Sequence, residues 1–339
     1  MNHLVHILLC STLLVFSSCH QDPYQVNLHE IKFDLRFYHA DSLLSSQNPL
    51  NQLKVRNQLK TLDSDVFGYL FGYCYRIPVQ PDTAFLQRLS LIYNDPYVQA
   101  LEREISVKFA VSKAKHHRKL QEACQRMKAL LPNTEPPKNV VWMNAAFTSS
   151  VFCSKKSIAI GLERYLGAKS TCIQKLPSDQ FFGWIKEGME ERYLLRDAIL
   201  GWLNTHALEE TKEGYAEEMI RWGKLLFIVE KLLSEEPVAV VLRYSEADYQ
   251  WALASEWAVW KYLVDEQLLY DRNEDTKQSL LHEGPFTRGL PNKSPDRLGQ
   301  FLGYRIVRQY VENHSPSLQE LLNLPYLTLL QAYEAPEKT

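Results

Sequence analysis

The sequence predicts a mostly helical α+β fold with a small sheet, built as a single domain. Apolar residues recur at helical spacing over residues 50–131 and again between residues 178 and 311, whereas strand-like patterns occupy only short segments. No internal repeat or long linker divides the chain. Since hydrophobic residues make up 45% of the sequence, we expect one large core.

Three segments are predicted to form the sheet. Over residues 31–37, apolar and charged residues alternate, which is typical of a strand with one buried face. Residues 140–146 and 157–162 are short apolar runs that follow proline-rich or polar loops. We expect these segments to form a small sheet.

Capping residues indicate where the first long helices begin. Pro96 is predicted to open a long helix that ends just before Pro132. Ser245 and Asp248 have the spacing of a capping box, which places the start of another helix at residue 246. That helix is predicted to extend to residue 270, and two further helices are predicted over residues 178–202 and 213–233.

The C-terminal part of the chain is also predicted to be helical. Ser294 is expected to cap a helix whose first position is Pro295 and which ends near residue 311. Ser317 and Glu320 indicate the start of a last short helix.

Residues 1–19 have the features of a lipoprotein signal sequence. An apolar run over residues 4–16 is too short to span a bilayer, and Ser17 and Ser18 lead directly into Cys19. We expect cleavage before Cys19 and acylation of that cysteine, which would attach the mature chain to a membrane. The alternatives are an ordinary cleaved secretory leader and a buried N-terminal helix.

This interpretation gives the domain organisation. Residues 1–18 form the signal peptide, residues 19–30 a polar tether, and residues 31–336 one folded domain. A net charge of −2 gives no reason to expect a nucleic-acid partner.

The cysteines that follow Cys19 allow two interpretations. In an oxidising compartment Cys153 and Cys172 could form a disulfide across a short loop, but free buried thiols are the alternative. The pairing of the remaining two, Cys74 and Cys124, is left open in the same way.

No recognised catalytic motif is present in the sequence. The zinc-binding HExxH, the GxSxG nucleophile motif, the P-loop and the dinucleotide fingerprint are all missing. His282 and Glu283 are followed by Gly284 and Pro285, which cannot continue the helix that a zinc motif requires. We therefore expect no metal, no cofactor and no catalytic residue.

Glu256 is the first candidate for a buried ionic or binding group. It lies between tryptophans on the helix predicted over residues 246–270, where an unpaired carboxylate would cost several kcal/mol. Arg297, Arg305 and Arg308 fall on one side of the following long helix and form a stripe of guanidinium groups. We expect Glu256 to pair with one of them, either as a structural ion pair or as part of a binding site.

Two further patterns involve helix faces. Gly299 and Gly303 are four residues apart, which allows another backbone to approach closely. Charged residues of both signs between positions 187 and 197 are predicted to form an exposed, self-paired helix face. These charged residues are Glu187, Glu190, Glu191, Arg192, Arg196 and Asp197.

The order of these segments resembles the GldB-type gliding-motility lipoproteins of Bacteroidetes. The most specific stretches are Pro-Phe-Thr at residues 285–287, Ser-Pro-Asp-Arg-Leu-Gly at residues 294–299, and residues 303–310 of the predicted late helix. The resemblance covers about residues 19–336. It is carried by Cys19 and by residues 31–34, 163–167, 223–226, 251–260, 285–287, 294–299 and 303–310.

The resemblance implies a lipoprotein of the outer membrane that faces the periplasm, or alternatively the cell surface. Its expected partners are the membrane, through the lipid on Cys19, and other envelope proteins of the gliding and linked secretion apparatus.

The same arrangement is similar to predicted zinc proteases of zincin type. In those proteins the zinc ligands lie on two successive helices, whose places here are residues 181–202 and 217–233. Neither segment contains a histidine. The resemblance therefore implies a zincin-like fold without an intact metal motif, which acts by binding. The alternative is a protease-like hydrolase with a metal-free site at Glu187, Glu190 or Asp197.

Overall fold

The computed structural model describes residues 22–78, 80–209 and 214–336. Its strands and helices confirm the predicted α+β class, with a small sheet among many helices. The strands are β1 (Arg36–His39), β2 (Asn139–Met143), β3 (Val151–Cys153) and β4 (Ser157–Gly161). The α-helices are α1 (Ala40–Ser45), α2 (Pro49–Leu62), α3 (Ser64–Phe67), α4 (Asp82–Tyr93), α5 (Pro96–Leu130), α6 (Thr171–Gln174), α7 (Gly183–Glu187), α8 (Leu194–His206), α9 (Tyr215–Leu232), α10 (Val238–Val241), α11 (Glu246–Asp265), α12 (Glu274–Leu281), α13 (Leu298–His314), α14 (Leu318–Asn323) and α15 (Tyr326–Gln331). A π-helical segment, Gly68–Cys74, follows α3.

The sheet has the strand order β1-β2-β4-β3. Strands β1, β2 and β4 are parallel, and β3 runs antiparallel to β4 at the edge. Both central strands, β2 and β4, are buried along their whole length, which explains why their sequences are continuous apolar runs.

Helices cover both faces of the sheet. Val140 and Trp142 of β2 point into the larger core, which they share with residues of α5, α8, α9 and α13. The alternate residues Val141 and Met143 point into a smaller core formed with α1, α2, α4 and the π-helical segment. Because side chains of a strand alternate between faces, each central strand belongs to both cores.

The prediction of a strand that begins at residue 31 is wrong, since β1 begins only at Arg36. The preceding segment pairs instead with glutamines of α5. The Leu35 amide donates a hydrogen bond to the Gln121 side chain at 2.8 Å, and that side chain in turn donates to the Phe33 carbonyl. Gln125 likewise donates to the Ile31 carbonyl at 2.8 Å. These side chains satisfy main-chain groups that would otherwise need a neighbouring strand.

The helix predicted over residues 178–202 is interrupted. Helix α7 ends at Glu187, and Glu190 then adopts an extended conformation and forms an isolated β-bridge with Leu166. Helix α8 begins at Leu194. The apolar pattern alone predicts one continuous helix here, whereas the bridge separates two helices.

Ser294 and Pro295 do not begin the late helix, contrary to the prediction. Arg297 has a left-handed backbone, with φ of 54°, and α13 begins at Leu298. The Leu298 amide donates to the hydroxyl of Thr287, a residue of the preceding loop, at 3.3 Å. A distant side chain therefore does the capping that the sequence assigned to Ser294. The predicted capping boxes at Ser245 and Ser317 are confirmed.

Cys19 and the predicted signal peptide lie outside the described residues, so lipidation stays a prediction. Tyr24, within the predicted tether, is buried and donates a hydrogen bond to the Pro316 carbonyl at 2.6 Å. The four cysteines Cys74, Cys124, Cys153 and Cys172 are free thiols. In the part of the chain that the structure describes, we find no helix with both the length and the apolar character needed to cross a bilayer.

Helices α9 and α13 cross at glycines. A Cβ atom on Gly223 would overlap the Gly303 carbonyl, and one on Gly303 would overlap the Met219 carbonyl. Gly299 lies against the Tyr215 hydroxyl with equally little space. The missing side chains therefore let the two backbones come into contact.

Candidate functional site

A cavity of about 410 Å³ opens between the loop after α7, the start of α11 and the loop before α13. Its volume falls within the range of small-molecule sites. We call it the charged pocket because ionisable side chains dominate its wall. The cations are Arg164, Arg192, Arg243, Lys293 and Arg297, and the carboxylates are Glu187, Asp248, Glu283 and Asp296. A larger groove of about 690 Å³ lies beside Tyr24, next to residues that the structure does not describe.

Asp197 anchors the floor of the pocket. Its carboxylate accepts hydrogen bonds from Arg196 Nη1 at 3.0 Å, from the Tyr165 hydroxyl at 3.0 Å, and from Arg243 Nη1. Burial by itself would raise the pKa of Asp197, but the charges of Arg243 and Arg196 outweigh it and hold the pKa below its ordinary value. Arg243 is thereby fixed at the pocket, and its Nη2 donates to the Gly188 carbonyl at 2.7 Å.

The loop before α13 forms a second wall. Asp296 accepts from Arg297 Nη2 at 3.0 Å and from the Gly284 amide at 3.1 Å, while the Tyr244 hydroxyl donates to the Asp296 carbonyl at 2.6 Å. Arg297 Nη2 also donates to the Arg243 carbonyl at 3.3 Å. These contacts tie the loop to the end of α10 and give Arg297 a fixed position.

Glu283 stands at the mouth of the pocket between two arginines. Its carboxylate is 3.5 Å from Arg297 Nη1 and 3.7 Å from Arg243 Nε, and its side chain is 53% exposed. Such long, solvated contacts contribute little to stability.

Arg164 also lines the pocket. Its Nε donates to the Phe147 carbonyl at 3.1 Å, and its guanidinium lies over the Phe181 ring at 5.5 Å from the centroid. The neighbouring Glu163 holds the same loop from inside, because its carboxylate accepts from the amides of Ala145 and Phe147 at 3.0 and 2.9 Å. Burial raises the pKa of Glu163 to about 7.

Three cations of the pocket lack a carboxylate partner within 4.0 Å among the described residues: Arg164, Arg192 and Lys293. Arg192 stacks on the Tyr193 ring at 4.7 Å instead. Burial lowers the pKa of Arg164, which indicates that nearby acids compensate its charge incompletely. The pocket therefore presents positive charge that the surrounding protein leaves available.

The predicted site residues separate into two places. Glu256 accepts from Arg305 Nε at 2.8 Å and from the Tyr333 hydroxyl at 2.9 Å, and none of these residues lines the pocket. Arg308 pairs with Glu312 at 2.8 Å. Arg297 precedes the helix and lies in the pocket wall. Arg297 has a left-handed backbone and lies just before α13, so it is separated from Arg305 and Arg308 and the predicted stripe does not form.

The charged residues between positions 187 and 197 do not form the exposed face that we predicted. Arg196 and Asp197 are buried, because Arg243 from a distant loop completes their ion-pair network. Glu190 accepts a hydrogen bond from the Ala168 amide at 3.2 Å, and Glu187 lies exposed on the pocket rim.

Sequence reasoning missed Arg243 and Lys293 as site residues. Both are isolated cations in loops, and no spacing singles them out. Arg164 belongs to a stretch that carries the family resemblance, which is the one signal that pointed toward it.

In the ranges that the structure describes, no group of three histidine, cysteine or carboxylate side chains is arranged to hold a metal ion. Most of the charged side chains that line the pocket carry guanidinium or ammonium groups, which repel metal cations.

Comparison with known proteins identifies the family of the chain. No curated protein and no solved structure matches the chain. The family model described as gliding motility protein GldB matches residues 21–334, which covers nearly the whole chain. All the residues that line the charged pocket lie within that match, and the chain belongs to the GldB family of gliding-motility lipoproteins.

Proposed function

We propose that this protein is a lipid-anchored envelope component of the gliding apparatus that binds a partner in the charged pocket and catalyses no reaction. The family match over residues 21–334 supports the role in gliding. The observation that carries the binding role is the pocket itself, since residues 283–297 supply its mouth and one wall. These residues include the most specific stretches of the family resemblance.

The contacts of Asp197 favour binding over catalysis. A general base or acid works best when its pKa lies near the operating pH, but two arginines lower the pKa of Asp197. The alternative that the sequence suggested, a metal-free hydrolase at Glu187, Glu190 or Asp197, is then left with Glu187 or Glu190. Glu190 is engaged with the Ala168 amide, so Glu187 is the remaining candidate.

The finer assignments belong to the same proposal. We place the protein at the outer membrane, facing the periplasm, with other proteins of the gliding and linked secretion apparatus as partners. We also retain the zincin-like architecture as a proposal. Of its two expected metal-binding helices, α8 carries a single histidine at its end, His206, which stacks on Trp202 at 3.8 Å between ring centroids.

Lipid anchoring is tested by replacing Cys19. Cys19→Ser should move the protein from the membrane pellet to the soluble fraction, because acylation at that position is the proposed attachment. Cys10→Ser makes the same chemical change inside the leader and should leave the protein in the pellet. Retention of the Cys19→Ser protein in membranes after a high-salt wash would exclude the anchor.

The role in gliding is tested by deleting the gene in the source organism and measuring the spreading of colonies. Deletion should abolish spreading, and a plasmid that carries the wild-type gene should restore it. Affinity isolation of the lipidated protein from its own envelope should recover components of the gliding apparatus. Normal spreading of the deletion strain would disprove the proposed role.

A further inference from the structure

We propose that the charged pocket binds the carboxylate end of a peptide, with Arg164, Arg192 and Lys293 facing the carboxylate and Glu187 facing a peptide ammonium group. This inference deepens the proposed binding role and rests on it.

The pairing of the cations in the pocket indicates an anionic ligand. Arg243 and Arg297 are engaged with Asp197 and Asp296, at the floor and wall of the pocket. The remaining cations have no carboxylate within 4.0 Å in the described ranges, although they line the same cavity. Guanidinium groups bind carboxylates through paired N–H donors, so the pocket offers the donors that a carboxylate needs.

Buried polar atoms in the same wall give an independent indication. Ser294 Oγ and Arg297 Nε have no hydrogen-bond partner among the described residues, and both residues are more than nine-tenths buried. Buried donors of this kind are normally satisfied. Their place in the pocket wall is consistent with a polar ligand that contacts this loop.

The acidic rim and the aromatic rim favour a peptide. Glu187 lines the cavity and has no cationic partner within 4.0 Å among the residues that the structure describes, so the pocket also offers a site for an ammonium group. Trp184 lines the cavity as well, and the exposed ring of Phe182 stacks on it. Aromatic surface of this kind packs against apolar side chains. A peptide combines a carboxylate, an ammonium group and apolar side chains in one ligand.

The test uses the full-length lipoprotein in detergent, immobilised, with two pools of random tripeptides that are identical except at the C-terminus. One pool carries free carboxylates and the other carries amides. We expect the protein to retain the free acids at least fivefold better than the amides. Equal retention of the two pools, or retention of neither, overturns the proposal.

Variants locate the binding site and identify the source of the carboxylate. Lys293→Gln should weaken retention of the acids at least threefold, while Lys60→Gln, an equally exposed lysine on α2, should not change it. Glu187→Gln should reduce the preference for free over acetylated N-termini. Tripeptide amides with an internal glutamate test for a side-chain carboxylate: we expect them to bind more weakly than the free acids, and equal binding would disprove recognition of the chain end.

Inorganic phosphate serves as the competing anion. Displacement of the free acids by phosphate at a lower concentration than by acetate would make the pocket a phosphate site and disprove the peptide assignment. Failure of these experiments leaves the results of Cys19→Ser and of gene deletion unaffected, so the ligand and the envelope role are tested separately.

Discussion

The charged pocket and the region around the crossing of α9 with α13 both contain arginines and glutamates, but the two regions differ in how these charges are paired. Next to the crossing, Glu256 of α11 is paired with Arg305 of α13 and with Tyr333, and at the crossing Glu230 of α9 accepts from the Tyr304 hydroxyl of α13 at 2.6 Å. In the pocket, three of five cations have no carboxylate partner within 4.0 Å among the described residues. A charge that is buried against packed helices must be paired, whereas one that faces a solvated cavity need not be. Unpaired charge in the pocket is therefore compatible with a stable fold and stays available to a ligand.

The largest effect is expected at the crossing, from Gly303→Ala. Its Cβ would overlap the Met219 carbonyl, which is main chain and cannot rotate away. We expect a loss of about 3 kcal/mol in the free energy of unfolding, measured by urea denaturation. Gly72→Ala is the matched control, because nothing lies within 4 Å of the added methyl group. Equal stability of the two variants would contradict the close approach of the helices.

Glu256→Ala should have the next largest effect. It leaves Arg305 without its partner, and since Arg305 is 30% exposed we expect a loss of about 2 kcal/mol, below the range for fully buried pairs. Glu256→Ala combined with Arg305→Ala should cost less than the sum of the single losses.

The control for this cycle uses Arg308, which pairs with Glu312. Arg308→Ala should be additive with Glu256→Ala. A non-additive result for Arg308, or an additive one for Arg305, would show that the ion pair is assigned to the wrong arginine.

The last prediction concerns Glu163, next to Arg164 of the pocket, because Glu163→Gln should change the pH dependence of stability. Burial raises the pKa of Glu163 from 4.5 to about 7, so between these values the folded state binds more protons than the unfolded state. The stability of the wild type should therefore contain a component that decreases as the pH rises from 4.5 to 7, and Glu163→Gln should lack it.

Unfolding measured at several pH values checks this expectation. The difference in stability between Glu163→Gln and wild type should increase with pH across that window. Glu266→Gln, at an exposed glutamate, should give a curve parallel to that of the wild type. A parallel curve for Glu163→Gln would mean that Glu163 does not titrate in this range.

Local signals in the sequence predicted much of the helical structure. The long helix α5 begins at Pro96, and the capping boxes at Ser245 and Ser317 form as expected. These features succeed because a cap involves residues that are three positions apart and needs no distant partner. The predictions for residues 31–35 and for Ser294 fail because Gln121, Gln125 and Thr287 supply hydrogen bonds from other elements.

The sequence by itself determined the α+β class, the central strands and the membership of the GldB family, since apolar periodicity and family motifs are properties of local order along the chain. Only the tertiary structure decided which charges meet. Arg164, Arg243 and Arg297 come from three separate loops, and no spacing in the sequence relates them. Coulombic interactions and desolvation depend on distance and burial in space, so the charged pocket exists only once the chain has folded around it.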